Sequence, residues 1–142
     1  MKKNIMVLTV VVGLALASAL YLNAMASTVL RVNVPFAFQV GKTALPAGTY
    51  IVEMERTGGV SPLGSGVLVR TPDGRIQVRV TTMPGNYGTK SAASVTFSRY
   101  GNFYYLSAVQ AYGLGRQLYK SKAEKEVAAK LQSFQRASVA AE

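Results

Sequence analysis

The sequence predicts a mainly β protein: a small antiparallel β-sandwich or open barrel of about six strands, with one C-terminal amphipathic helix and a preceding signal peptide. Three observations carry this prediction. Apolar residues recur with period two through much of residues 30–108, two turn signals sit between segments that pair apolar against apolar, and the period becomes helical only after Ser121.

The first 26 residues have the layout of a secretory signal. Met1-Lys2-Lys3-Asn4 is a positive start, Ile5 to Leu22 is largely apolar, and Ala24-Met25-Ala26 is a small-x-small cleavage site. The expectation is export with cleavage after Ala26, to the periplasm or the extracellular space. The competing reading is an uncleaved anchor, because an apolar run of about 18 residues approaches the roughly 20 that span a bilayer. Residues 27–115 then form the antiparallel β domain, and residues 116–142 a C-terminal helical segment.

From Leu30 to Val40 the even positions are Leu30, Val32, Val34, Phe36, Phe38 and Val40, with Arg31, Asn33, Pro35, Ala37 and Gln39 between them. That is a strand, and Pro35, which cannot donate to a ladder, predicts a bend within it. Gly41-Lys42 and Leu45-Pro46-Ala47-Gly48 mark turning of the chain. A second strand, Thr49 to Arg56, points Tyr50, Val52 and Met54 one way and Ile51, Glu53 and Glu55 the other. After a Gly- and Ser-rich stretch from Thr57 to Gly66, a two-residue Asp73-Gly74 loop would pair Val69 with Val78 and Val67 with Val80, leaving Leu68, Arg70, Gln77 and Arg79 to solvent. A loop rich in Gly, Pro and Asn is expected from Met83 to Ala92. A second hairpin around Gly101-Asn102 would pair Phe97 with Leu106, Val95 with Ala108, Thr96 with Ser107 and Ser98 with Tyr105. Finally Ser121-Lys122-Ala123-Glu124 is a capping box, and Val127, Leu131 and Phe134 follow at helical spacing, predicting a helix from about Lys122 to Ala137.

Four blocks of this chain, Val34-Pro35-Phe36-Ala37-Phe38-Gln39-Val40-Gly41, Leu45-Pro46-Ala47-Gly48-Thr49-Tyr50, Arg99-Tyr100-Gly101-Asn102-Phe103-Tyr104-Tyr105-Leu106-Ser107 and Ser121-Lys122-Ala123-Glu124-Lys125-Glu126, resemble a family of short exported, uncharacterised proteins of environmental bacteria. They spread over nearly all of the mature chain. The resemblance implies export and a small β-rich domain, and it brings no catalytic or binding residue with it.

Composition narrows the chemistry. The 142 residues include no His, Cys or Trp, which removes imidazole bases, thiol nucleophiles, disulfides, thiolate metal sites and lipid-modified cysteine. No catalytic residue, metal or cofactor is therefore expected. The formal charge is +10; Lys2 and Lys3 leave with the signal, so 14 basic residues face 6 acidic ones in the mature chain. Six of those basic and three of the acidic residues lie from Arg116 onward.

Arg70, Arg75 and Arg79 cluster about one hairpin and are candidates for binding anionic polysaccharide or lipid head groups. Tyr100, Phe103 and Tyr105 are candidates for stacking on sugar rings, while Tyr104 falls on the apolar side; Tyr87 and Tyr112 lie nearby in sequence. Nucleic acid is not an expected partner of an exported chain. The expected function is a non-enzymatic structural or interaction module of the envelope or extracellular space, self-associating through its N-terminal strand or C-terminal helix. The alternative is an adhesin-like module binding carbohydrate or an anionic polymer. A third reading, a hydrolase, would use Glu53 and Glu55, two carboxylates on one strand face.

Overall fold

The computed structural model of the chain describes residues 28–55, 66–85, 92–111 and 113–142. The expected signal peptide lies outside them, as do most of the Gly- and Ser-rich stretch and most of the loop expected between Met83 and Ala92. The protein is mainly β, with ten strands and one helix among the described residues.

The predicted first strand divides where Pro35 interrupts it. β1 (Thr28–Val34) pairs along its length with β4 (Gly48–Met54), from Thr28↔Met54 to Val34↔Gly48. Beyond the break, β2 (Phe38–Val40) changes neighbours: it forms a tight hairpin with β3 (Thr43–Leu45) and touches β8 (Phe103–Ala111) in parallel at Gln39↔Tyr105. The alternation survives the bend, since Leu30, Val32, Val34, Phe38 and Val40 are all buried and Phe36 packs partly against them.

β4 places Tyr50, Val52 and Met54 inward as expected. It pairs with β5 (Gly66–Arg70), which pairs with β6 (Gln77–Pro84) in the expected register, Val67↔Val80 and Val69↔Val78. The connection is longer than two residues. Thr71 N–H donates to the Ile76 carbonyl, and a turn closes inside it, with Gly74 N–H donating to Thr71 O at 2.9 Å and Gly74 at φ +73°. β6 also runs on to Pro84, taking the start of the expected loop into a ladder with β9 (Leu114–Leu118).

The second hairpin corrects the expected register. β7 (Ser94–Tyr100) and β8 keep Phe97↔Leu106 and Ser98↔Tyr105, but Thr96 faces Ala108 and Val95 faces Val109. A bulge between Thr96 and Phe97 leaves Ser107 as the extra residue, and its hydroxyl donates to the Thr96 carbonyl at 2.9 Å. The physical reason is burial. The slip of one residue lets both Leu106 and Val109 point inward, where an unbroken alternation would have turned Val109 outward.

The C-terminal segment is also corrected. The helix, α1 (Lys122–Leu131), starts at its predicted N-cap, Ser121, whose hydroxyl accepts from Glu124 N–H at 3.1 Å. It ends six residues earlier than expected, at Leu131, and is capped by Gln132 in a left-handed conformation (φ 48°). The chain then forms β10 (Gln135–Ala140), antiparallel to β7, with Ala137, Val139 and Ala141 packed against the core and Phe134 left exposed. β9 and β10 both come from or overlap the segment read as helical, and with β2 and β3 they raise the strand count above the expectation.

The pairings run β1-β4-β5-β6-β9-β8-β7-β10. β10 returns to β1 at the bridge Val32↔Ala141, beside Glu142 N–H donating to Arg31 O. One apolar cluster fills the concave side. Phe38 meets Tyr50 and Phe97 edge-on at 5.2 Å, and the Tyr50 hydroxyl donates to Pro46 O at 2.6 Å, tying the β3–β4 corner. Each Val, Leu or Phe fully buried here contributes roughly 1.5–3 kcal/mol.

Candidate functional site

The three arginines singled out by sequence are each paired. Arg70 donates through Nε and Nη2 to Glu53 Oε1 at 3.1 and 2.9 Å. Arg79 donates to Glu55, and Arg75 lies 3.5 Å from Asp73. The local structure explains these meetings. Outward residues of β4 and β5 are neighbours across the ladder, so Glu53 and Arg70 lie on adjacent strands. Glu55 reaches past β5 to β6 because Gly66 stands between them: a Cβ there would sit 2.9 Å from Glu55 Oε2 and 3.6 Å from Arg79 Nε. The Asp73 carboxyl is held below its ordinary range by the Thr71 hydroxyl, then by the Arg75 amide. The expected basic hairpin therefore presents three ion pairs, and a shallow hollow of 310 Å³ lined by Glu55, Leu68, Gln77 and Arg79. The two carboxylates of the hydrolase reading, Glu53 and Glu55, each accept from a guanidinium.

A fourth pair joins Arg31 to Glu142 at 3.5 Å. All six acidic residues of the sequence lie in the described residues, and four are thus matched to arginines. Outside those pairs, among the described residues, stand Lys42, Arg99, Arg116, Lys120, Lys122, Lys125, Lys130 and Arg136, facing Glu124 and Glu126. The excess positive charge lies chiefly on and around α1.

Of the aromatic candidates, Phe103 is half exposed at the tip of the β7–β8 hairpin, while Tyr100 and Tyr105 are buried, at 3 % exposure each. Their rings lie 6.0 Å apart on the convex face of the sheet, under α1. Tyr104 faces the other way and stacks on Phe36 at 3.8 Å, with the Arg99 guanidinium 5.4 Å from its ring centre. Tyr87 and Tyr112 lie outside the described residues.

What the fold does assemble is a cleft of 410 Å³ on the convex face of β9, β8, β7 and β10, walled by α1 and the Phe134 turn. Its floor is polar, with Thr96, Ser98, Ser107, Gln110 and Gln117; Arg116, Lys120 and Arg136 bring positive charge, and Phe134 an exposed ring. Register places them. Arg136 sits opposite Ser98, which sits opposite Tyr105, and Gln117 sits opposite Ala108, which sits opposite Thr96. At one end Arg116 donates from Nη2 to the Glu55 carbonyl at 3.5 Å, and its buried Nε has no hydrogen-bond partner among the described residues.

Glu124 is the buried acid of this cleft, 4 % exposed. Its carboxylate turns inward and accepts from the Tyr100 hydroxyl at 3.2 Å. Burial pushes its pKa up; the Tyr100 hydrogen bond and the Lys120 charge act against that rise but do not cancel it. Burial foremost, and the Glu124 charge next, push Tyr105 up as well. No protein family, curated protein or solved structure matches this chain.

Sequence reasoning passed over Lys120, Gln117, Arg136 and Phe134 as site residues. A signal existed: from Gln135 to Ala141 the apolar residues Ala137, Val139 and Ala141 alternate, which is the mark of a strand and would have carried Arg136 to the sheet. Among the described residues no helix is long and apolar enough to cross a membrane, and no group of three acidic side chains is placed to hold a metal ion.

Proposed function

We propose that this protein is an exported, non-enzymatic interaction module of the cell envelope or extracellular space, whose convex-face cleft binds an acidic polysaccharide. The finer architecture in this reading is an open barrel, supported by the strand order that leads from β1 round to β10 and the bridge between them.

The observation that carries the proposal is the division of charge. Four carboxylates neutralise the arginines of β1, β5 and the β5–β6 hairpin, while Lys120 and Arg136 enter a cleft whose acidic member, Glu124, is buried against Tyr100. Hydroxyl and amide groups on the floor suit the hydroxyls of sugar rings, the cations Arg116, Lys120 and Arg136 suit carboxylates, and the exposed Phe134 ring offers an apolar face for stacking.

Affinity electrophoresis of the full chain through gels containing polygalacturonate tests this. Retardation that weakens with salt is expected, with at least a tenfold loss of affinity in a Lys120→Ala/Arg136→Ala variant, since a hydrogen bond to a charged group contributes about 1.5–3 kcal/mol. Unretarded migration, or retardation that the double variant leaves intact, would overturn the reading.

A further inference from the structure

Next to the cleft lies a second hollow of 260 Å³, lined by Tyr100, Lys120, Ala128, Gln132, Ser133 and Phe134. The two share Lys120 and Phe134 and separate on either side of them. Phe134 is held at that divide from both directions: its ring lies 5.7 Å from Tyr100 beneath, and the Arg136 guanidinium lies 5.8 Å from its centre. The ring packs against these two neighbours while remaining half exposed, so part of it is open to a ligand.

Resting on the polysaccharide reading, we propose that the two hollows form one continuous groove for a linear acidic oligosaccharide. Phe134 stacks on the ring at the divide, Lys120 takes a carboxylate there, and consecutive sugars occupy the hollows on either side. A single sugar fills one hollow. A chain long enough to cross the divide gains the second hollow without losing translational freedom again, so affinity climbs with length and then levels off. The same geometry disfavours duplex nucleic acid, which is wider than the single sugar chain this groove takes.

Calorimetric titration of the full chain with galacturonate oligomers, from monomer to hexamer, reads this directly. The hexamer is expected to bind at least tenfold more tightly than the monomer. Ser133→Trp, which fills the smaller hollow from an exposed position, should reduce the hexamer to the affinity of the short oligomers. Equal affinity for monomer and hexamer, or a length dependence that Ser133→Trp does not alter, would overturn the two-hollow groove while leaving the polysaccharide reading in place. Absence of binding at every length, or displacement of the hexamer by duplex DNA at equal charge concentration, would instead overturn the polysaccharide reading and the groove with it.

Discussion

The Tyr100 hydroxyl donates to the Glu124 carboxylate at 3.2 Å, and this bond joins the convex face of the sheet to the first turn of α1. Most of α1 is exposed; Glu124 is its buried residue, and Val127 and Ala128 are half-buried. A capping-box glutamate usually reaches back to the N-cap amide. Here the N-cap hydroxyl performs its half of the box, while the acid is turned under the helix.

That arrangement makes stability depend on pH in a defined direction. Burial raises the folded-state pKa of Glu124 above its ordinary value of 4.5, so the folded protein holds this proton more tightly than the unfolded chain does. The stabilisation is fully present below the unfolded value and is lost as pH rises through the folded one. Glu124→Gln keeps the shape and an oxygen for the Tyr100 hydroxyl without the buried charge. Its melting temperature is expected to exceed that of the parent by a few degrees at pH 7, with the difference closing near pH 4. The groups facing the carboxyl, Tyr100, Tyr105 and Lys120, are untouched by the change. A variant less stable than its parent at both pH values would contradict the assignment.

The ion pairs of the β4–β5–β6 face predict a different outcome for the arginines that composition made conspicuous. Arg70→Ala with Arg79→Ala should cost about 1 kcal/mol per pair or less, because side chains of this exposure gain little from pairing in water. Retention on polygalacturonate should stay within twofold of the parent, since neither residue lines the cleft. A tenfold loss of retention in this variant would move the site to the hairpin.

Much of the core was legible because alternation is a local property. Leu30 through Val40, Tyr50 through Met54, and the Val67–Val69 and Val78–Val80 pairs could be placed inward from spacing alone, and they are packed there. The charge pairs were not legible, because they depend on which strands become neighbours: Glu53 and Arg70 meet only once β4 and β5 are adjacent, and Glu55 reaches Arg79 only because Gly66 has no side chain. Phe134 misled for the opposite reason. It continues the helical spacing of Val127 and Leu131, yet the left-handed Gln132 ends the helix before that spacing can apply.

Gln132 itself offers a test of how α1 is held. A non-glycine residue at φ 48° carries a steric penalty of about 1–2 kcal/mol in general, which glycine avoids. Gln132→Gly is therefore expected to stabilise the protein by up to about 1 kcal/mol, and Ser121→Ala at the other end to cost about 1 kcal/mol through loss of the cap. Urea unfolding midpoints measure both. Equal and negligible shifts would mean that α1 is not part of the cooperative unit.

The bulge at Ser107 leads to the strictest prediction about register. Ser107 is the residue without a counterpart between Phe97↔Leu106 and Thr96↔Ala108, so deleting it lets Ala108 follow Leu106 in an unbroken ladder. Every pairing on either side is preserved, and Leu106 and Val109 still point inward on alternate positions. What disappears is the local twist and the hydroxyl bond to the Thr96 carbonyl, the latter worth about 0.5–1.5 kcal/mol. The deletion variant should thus fold, at a cost of no more than about 3 kcal/mol, a loss within the ordinary range for a single change. Nuclear Overhauser contacts should still place Val95 against Val109. Contacts of Val95 with Ala108 instead, or failure to fold, would show that β7 and β8 are aligned by something other than the burial of Leu106 and Val109.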